Sequence, residues 1–233
     1  MKKVLFALFA VMMAGTALAA DDRPVVAVLE FKNETQAYWW QSGVGRELSD
    51  MLSNELMNTG VFKVVERRKL DGVLSEQDLG ASGRVSKSSA AKMGQLTGAK
   101  YLVTGSVSNF EETGGKGGGV SFKGISVGGN KKTSTIGIDI RVIDSTTGVV
   151  EYARTVTATA KSGGMSLGLS RGGFGGALAS EKKTPAGKAI RAVIIEITDY
   201  LACAMYDQDS CMDEYRDKER RRRNKAKGDV DLD

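Results

Sequence analysis

The sequence contains no histidine, which removes Ser-His-Asp triads, Cys-His dyads and histidine-bearing zinc sites. It has no GxxxxGK[ST] loop, and the glycines of GGKGGG have no helix behind them to cradle a phosphate. Isolated acids do not fill the gap. Glu66 stands beside Arg67 and Arg68, where an ion pair explains it better than general acid chemistry does. Glu66 and Glu76 flank one predicted helix, and Asp139 and Asp144 fall in a strand and at a turn, where solvent exposure or turn capping accounts for them. The expectation is a protein with no catalytic residues, no metal and no cofactor. A solenoid repeat is also missing. Excess charge of one sign is slight, with 33 Lys and Arg against 28 Asp and Glu.

A long hydrophobic run is lacking too. The apolar stretch from Val4 to Ala14 is short of the roughly 20 residues a spanning helix needs. It follows Lys2 and Lys3 and leads into Ala17-Leu18-Ala19-Ala20, an A-x-A cleavage pattern. Residues 1–20 are therefore expected to be a secretory signal peptide, with the mature chain starting near Ala20 or Asp21. Loss of Lys2 and Lys3 leaves 31 basic residues against 28 acids, too small an excess to argue for a nucleic-acid partner. Export permits oxidation, so the two cysteines, Cys203 and Cys211, are expected to form a small structural disulfide, with two free thiols as the alternative.

Periodicity points to an α/β fold in one domain over residues 21–206, large enough for its own core. PVVAVLEF, from Pro24 to Phe31, reads as a buried strand. Leu48, Met51, Leu52 and Leu56 share one face of a helix from Val44 to Asn58 that Gly60 stops. A short strand from Val61 to Arg67 precedes a second helix with Leu70, Val73 and Leu74 on its inner face. A third short helix is expected from Ser88 to Thr97, then a strand from Tyr101 to Phe110. Ile136, Ile138, Ile140 and Val142 alternate with Gly137, Asp139 and Arg141, the clearest strand pattern in the chain. DSTTG turns it back into a strand from Val149 to Ala160, with Val150, Tyr152 and Val156 on one face. Thr184 and Pro185 suit the start of a last helix whose stripe of Ile190, Val193, Ile194, Ile197 and Leu201 should bury fully against the sheet. The charged tail, 207–233, sets Asp213, Glu214, Asp217 and Glu219 before Arg220-Arg221-Arg222-Arg223, Lys225 and Lys227. A solvated helix with a frayed end is expected, and a patch touching anionic lipid or peptidoglycan is the lesser alternative.

Two glycine-rich inserts interrupt the domain, at 111–132 and 158–183, the second being glycine-rich from Ser162 onward. If the strands from Tyr101, Thr133 and Val149 are antiparallel neighbours, both inserts leave from one edge. A membrane strand takes about 9 to 11 residues, so the first insert has the length for a spanning β-hairpin. Val120 and Phe122, then Met165, Leu167 and Leu169, alternate with small or polar residues. Four strands cannot close a barrel in lipid, so a membrane form requires a symmetric oligomer. Flexible loops are the competing reading of the same composition.

The segment FKVVERRKLDGVLSEQDLGASGRVSKSSAAKMGQLTGAKYLVTGSV, from Phe62 to Val107, resembles the core signature of the CsgG family. Its landmarks are Glu66-Arg67, the Leu70…Leu74…Glu76-Gln77 helix, and Gly98-Ala99 before Tyr101-Leu102-Val103-Thr104-Gly105. IRVIDSTTGVV and TPAGKAIRAVI are similar to the next two family landmarks, in order. The resemblance implies an outer-membrane channel for curli-type polypeptide secretion: a homo-oligomeric ring, each subunit lending two β-hairpins to a shared barrel, on a periplasmic domain of the anticodon-binding and TolB type. It implies as partners an exported polypeptide, envelope accessory proteins and outer-membrane lipid. In that family a loop after the first strand narrows the pore, which corresponds here to Asn33, Gln36, Tyr38, Trp39 and Trp40. Those aromatics suit gripping an extended polypeptide, or Trp39 and Trp40 cover the start of the first helix. One departure stands out. Lipidated members carry a cysteine at the cleavage site, and this chain has Ala19-Ala20-Asp21, so no lipid anchor is expected there. A soluble periplasmic adaptor or regulator of envelope assembly on the same fold is the alternative function.

Overall fold

The computed structural model describes residues 21–116, 120–122, 125–127, 130–162, 178 and 183–228. The expected signal peptide and most of the second insert lie outside them. The chain opens with β1 (Val25–Val28) and the two-residue β2 (Lys32–Asn33), followed by α1 (Val44–Thr59), β3 (Lys63–Val64) and α2 (Leu70–Ala81). β4 (Tyr101–Lys116) and β7 (Asn130–Asp144) enclose the short β5 (Val120–Phe122) and β6 (Ile125–Val127). β8 (Val150–Lys161), α3 (Pro185–Ala202) and α4 (Cys211–Gly228) complete the order.

One mixed sheet carries the fold, in the order β3-β1-β4-β7-β8, with β2 added beside β4. β3, β1 and β4 are parallel, while β4, β7 and β8 are antiparallel neighbours. α1 and α3 lie against each other and close a single layer over the sheet. This α/β architecture follows from the strand patterns. Ile136, Ile138, Ile140 and Val142 are at most 1% exposed, and the stripe Ile190, Val193, Ile194, Ile197 and Leu201 of α3 meets them, equally buried. At about 2 kcal/mol for each buried aliphatic side chain, that stripe alone contributes on the order of 10 kcal/mol before chain entropy is charged.

The ends of the helices obey local chemistry. The Thr184 hydroxyl accepts from the Gly187 amide at 3.0 Å, with Pro185 in the first turn. α1 stops at Gly60, whose φ of 74° only glycine adopts without cost, and the Gly60 amide donates to Met57. Close packing governs Gly105 instead. A Cβ there would stand 2.3 Å from the Phe31 ring, so the bare backbone of β4 lets that ring lie flat across it.

Four sequence expectations need correction. Ser88–Thr97 is not a helix. The hydroxyls of Ser86, Ser88 and Ser89 bond to one another, Gly94 takes a φ of 75°, and Met93 and Leu96 stay exposed, so no buried face offsets the cost of nucleation. α2 forms, but its expected inner face is not inner: Val73 and Leu74 are both 43% exposed, and Gln77 is its buried residue. The strand expected over 61–67 shrinks to Lys63–Val64, because β1 offers it only Val25 and Val26 as partners. Val150 is 47% exposed, because a register shift between Val142 and Ile143 separates it from the inward set Tyr152, Val156 and Ala158.

Candidate functional site: an aromatic loop at the root of a hairpin

The loop between β2 and α1 is shaped by its first residues. Asn33 Oδ1 accepts from the Thr35 amide at 3.0 Å and the Thr35 hydroxyl at 2.8 Å, and Thr35 Oγ1 then accepts from the Ala37 amide at 3.2 Å. These nested turns leave Gln36 exposed and swing the aromatics toward β4. Trp39 is 2% exposed and meets Phe110 edge-on, with ring centroids 5.7 Å apart. Trp40 packs against Trp39, half-buried. Tyr38, 59% exposed, also lies edge-on to Phe110, with ring centroids 5.7 Å apart, and donates its hydroxyl to Glu112 Oε2 at 3.0 Å.

The five loop residues therefore do not share one exposed face. Gln36 and Tyr38 are on the surface; Trp39 belongs to the core, Trp40 leans on it, and Asn33 is spent on the turn. Glu112, which sequence patterns do not single out, joins the loop to β4 and β7. Burial raises its carboxyl, but the hydrogen bonds from Tyr38, Lys132 and Ser134 outweigh that and hold it below the usual glutamate value. The only sequence signal for it is an acid opening a glycine-rich segment.

Glu112 stands opposite Ser134, one residue short of the last pair between β7 and β8, Thr133↔Lys161. The pairing of β4 with β7 runs unbroken from Asn109↔Gly137 to Lys116↔Asn130, and β5 and β6 pair as Val120↔Val127 to Phe122↔Ile125. In its described residues the first insert thus extends two core strands to Lys116 and Asn130 and then holds a separate β5–β6 pair. The second insert starts from the same end: Lys161 pairs with Thr133, and the Ser162 amide donates to Lys132 at 2.7 Å. It touches down at Leu178, which is buried and donates its amide to Glu47 in the first turn of α1 at 2.9 Å. Cys203 and Cys211 form a disulfide across the π-helical turn between α3 and α4, with their Cα atoms 6.1 Å apart.

Among the described residues, no group of three or more carboxylates and thiols is placed to hold a metal ion, and no helix is long and apolar enough to cross a membrane. The second fact says nothing about a β-barrel.

No curated protein matches the sequence significantly. Solved structures similar to this chain include the hypothetical protein CT253 of Chlamydia trachomatis, at 16% identity over 79% of this chain and 99% of that one, with a TM-score of 0.48. The PelC dodecamer of Paraburkholderia phytofirmans is 16% identical over 75% and 86% of the two chains, with a TM-score of 0.38. Lipoprotein GNA1162 of Neisseria meningitidis is 13% identical over 63% and 89%, with a TM-score of 0.36. The family described as "Curli production assembly/transport component CsgG" matches residues 9–230. With that match over nearly its whole length, the chain belongs to the CsgG family of envelope proteins.

Proposed function

We propose that this chain is the subunit of a homo-oligomeric outer-membrane channel for an extended polypeptide, with both inserts contributing β-hairpins to a barrel shared between copies. The observation that carries it is the ladder of β4 and β7, which extends past the end of β8 to Lys116 and Asn130, with the paired strands β5 and β6 between them in the chain. The second insert departs from the same end. An open hairpin in lipid leaves edge amides and carbonyls unsatisfied at several kcal/mol each, so closure needs neighbouring copies.

Gln36 and Tyr38 then form the narrowing or partner-binding surface, and Asn33, Trp39 and Trp40 hold them out. The subunit reaches the periplasmic side of the outer membrane by export, without a lipid at its cleavage site. The test is to express the full chain, separate the membrane fractions, and extract the protein in mild detergent for mass measurement, electron microscopy and planar-bilayer recording. Rings that conduct, with conductance altered by Tyr38→Ala, are expected. Recovery solely as a periplasmic monomer overturns the channel and leaves the soluble adaptor on the same fold.

A further inference from the structure

α4 gives the core only Tyr215, with Cys211 and Met212 packed beside it, yet its charges are sorted. Arg216, Arg220, Arg223 and Lys227 recur at steps of four, three and four, which places them along one face of the helix. That face closes a cleft of about 440 Å³ against Arg154 of β8 and Tyr200 of α3. Five cations line it, and Glu219 is its single carboxylate.

The carboxylate is already committed. Arg222 donates to Glu219 through Nε at 2.8 Å and a terminal nitrogen at 2.7 Å, and that pairing holds the Glu219 carboxyl below its usual range. Arg216 and Arg220 form i,i+3 pairs with Asp213 and Asp217, exposed contacts that solvent screens. Arg223 and Lys227 form no salt bridge among the described residues.

At the floor, the Arg154 guanidinium lies over the rings of Tyr200 and Tyr215, 5.1 and 4.8 Å from their centroids, and donates to the Tyr215 carbonyl at 3.1 Å. Its Nε is buried with no acceptor among the described residues. A buried donor left unmet is destabilising. Burial pushes the Tyr215 phenol up to about 12, so that ring adds no negative charge at neutral pH. A second cavity of about 310 Å³, which shares Arg154 and Glu219 with the first, is nearer balance: Asp139 and Glu219 there face Arg141, Arg154 and Arg222. The larger positive excess lies in the first cleft.

We propose that this cleft binds a phosphorylated ligand, with a phosphate or phosphoryl headgroup received by Arg154, Arg220, Arg223 and Lys227. Guanidinium forks match phosphate oxygens in pairs, and a small headgroup fits the volume. The site stands whether or not the inserts cross a membrane.

The full-length mature chain is titrated with inorganic pyrophosphate by calorimetry, and cosedimented with vesicles of phosphatidylglycerol or of phosphatidylcholine. The triple variant Arg220→Gln, Arg223→Gln, Lys227→Gln and a charge-matched control, Arg84→Gln, Lys87→Gln, Lys92→Gln on an exposed segment, are run beside it after their melting curves are shown to match. At least a tenfold loss of affinity in the triple variant alone supports the site. Loss of pyrophosphate binding identifies a soluble phosphate ligand, and loss confined to phosphatidylglycerol vesicles identifies a lipid headgroup. Equal loss in the control, or wild-type binding to neither probe, overturns it.

Discussion

Two neighbouring aromatics, Tyr38 and Trp39, divide the work of the loop. Trp39 fills space against Phe110 and Trp40, so Trp39→Ala should destabilise the domain by about 3–5 kcal/mol, read from a urea unfolding curve. Tyr38→Phe removes one hydrogen bond to Glu112 and should cost about 1 kcal/mol. An altered transport phenotype in a Trp39 variant therefore reports folding first, and Tyr38 is the position that separates passage from stability. Glu112 adds a pH signature. Its carboxyl is lowered in the folded chain, so its contribution is present above the unfolded value near 4.5 and is lost as pH falls through the folded value below it. The urea midpoint should fall between pH 6 and pH 3 less in Glu112→Gln than in the wild type; identical slopes would show that the loop contact adds nothing.

The elements legible in the sequence are those with one buried face. α1, α3 and β7 announce themselves because Leu48, Ile194 and Ile138 recur at the spacing of their own helix or strand and meet the core where that spacing says. α2 and the 88–97 segment mislead for the converse reason. Val73, Leu74, Met93 and Leu96 have core-like chemistry but no partner surface in the described chain, and periodicity cannot reveal what lies opposite. The candidate loop was found in the sequence by position and aromatic content. Its division into exposed and buried members was not, because Trp39 is buried by Phe110, 71 positions downstream. Glu112 was hidden for the same reason.

The link between α3 and α4 makes its own prediction. A bond closing the eight-residue separation of Cys203 and Cys211 restricts the unfolded chain by about 2.5 kcal/mol in the loop-entropy account. Thiol reduction should lower the urea midpoint accordingly. It should also free the first turn of α4, seen as faster amide exchange over Cys211–Tyr215 while β7 stays protected.

For the whole molecule, sheet and inserts are one body built from shared strands. Replacing residues 117–129 with a two-residue turn should leave the thermal midpoint within a few degrees of the wild type, since every buried residue of β4 and β7 remains. Under the channel proposal the same change empties the membrane fraction. A collapse of the fold would instead show that the insert supports the domain.

The continuity of β4 and β7 also has a mechanical consequence. Ladder hydrogen bonds run perpendicular to the strands. A pull on the hairpin tip along the strand axis draws β4 and β7 the same way, so the shear falls on the ladders that tie them to the sheet, β4 to β1 and β7 to β8. The load reaches Glu112, and through it Tyr38, before it reaches the helices. A tug on the insert is thus passed to the aromatic loop through Glu112 before it reaches the part of β7 packed against α3.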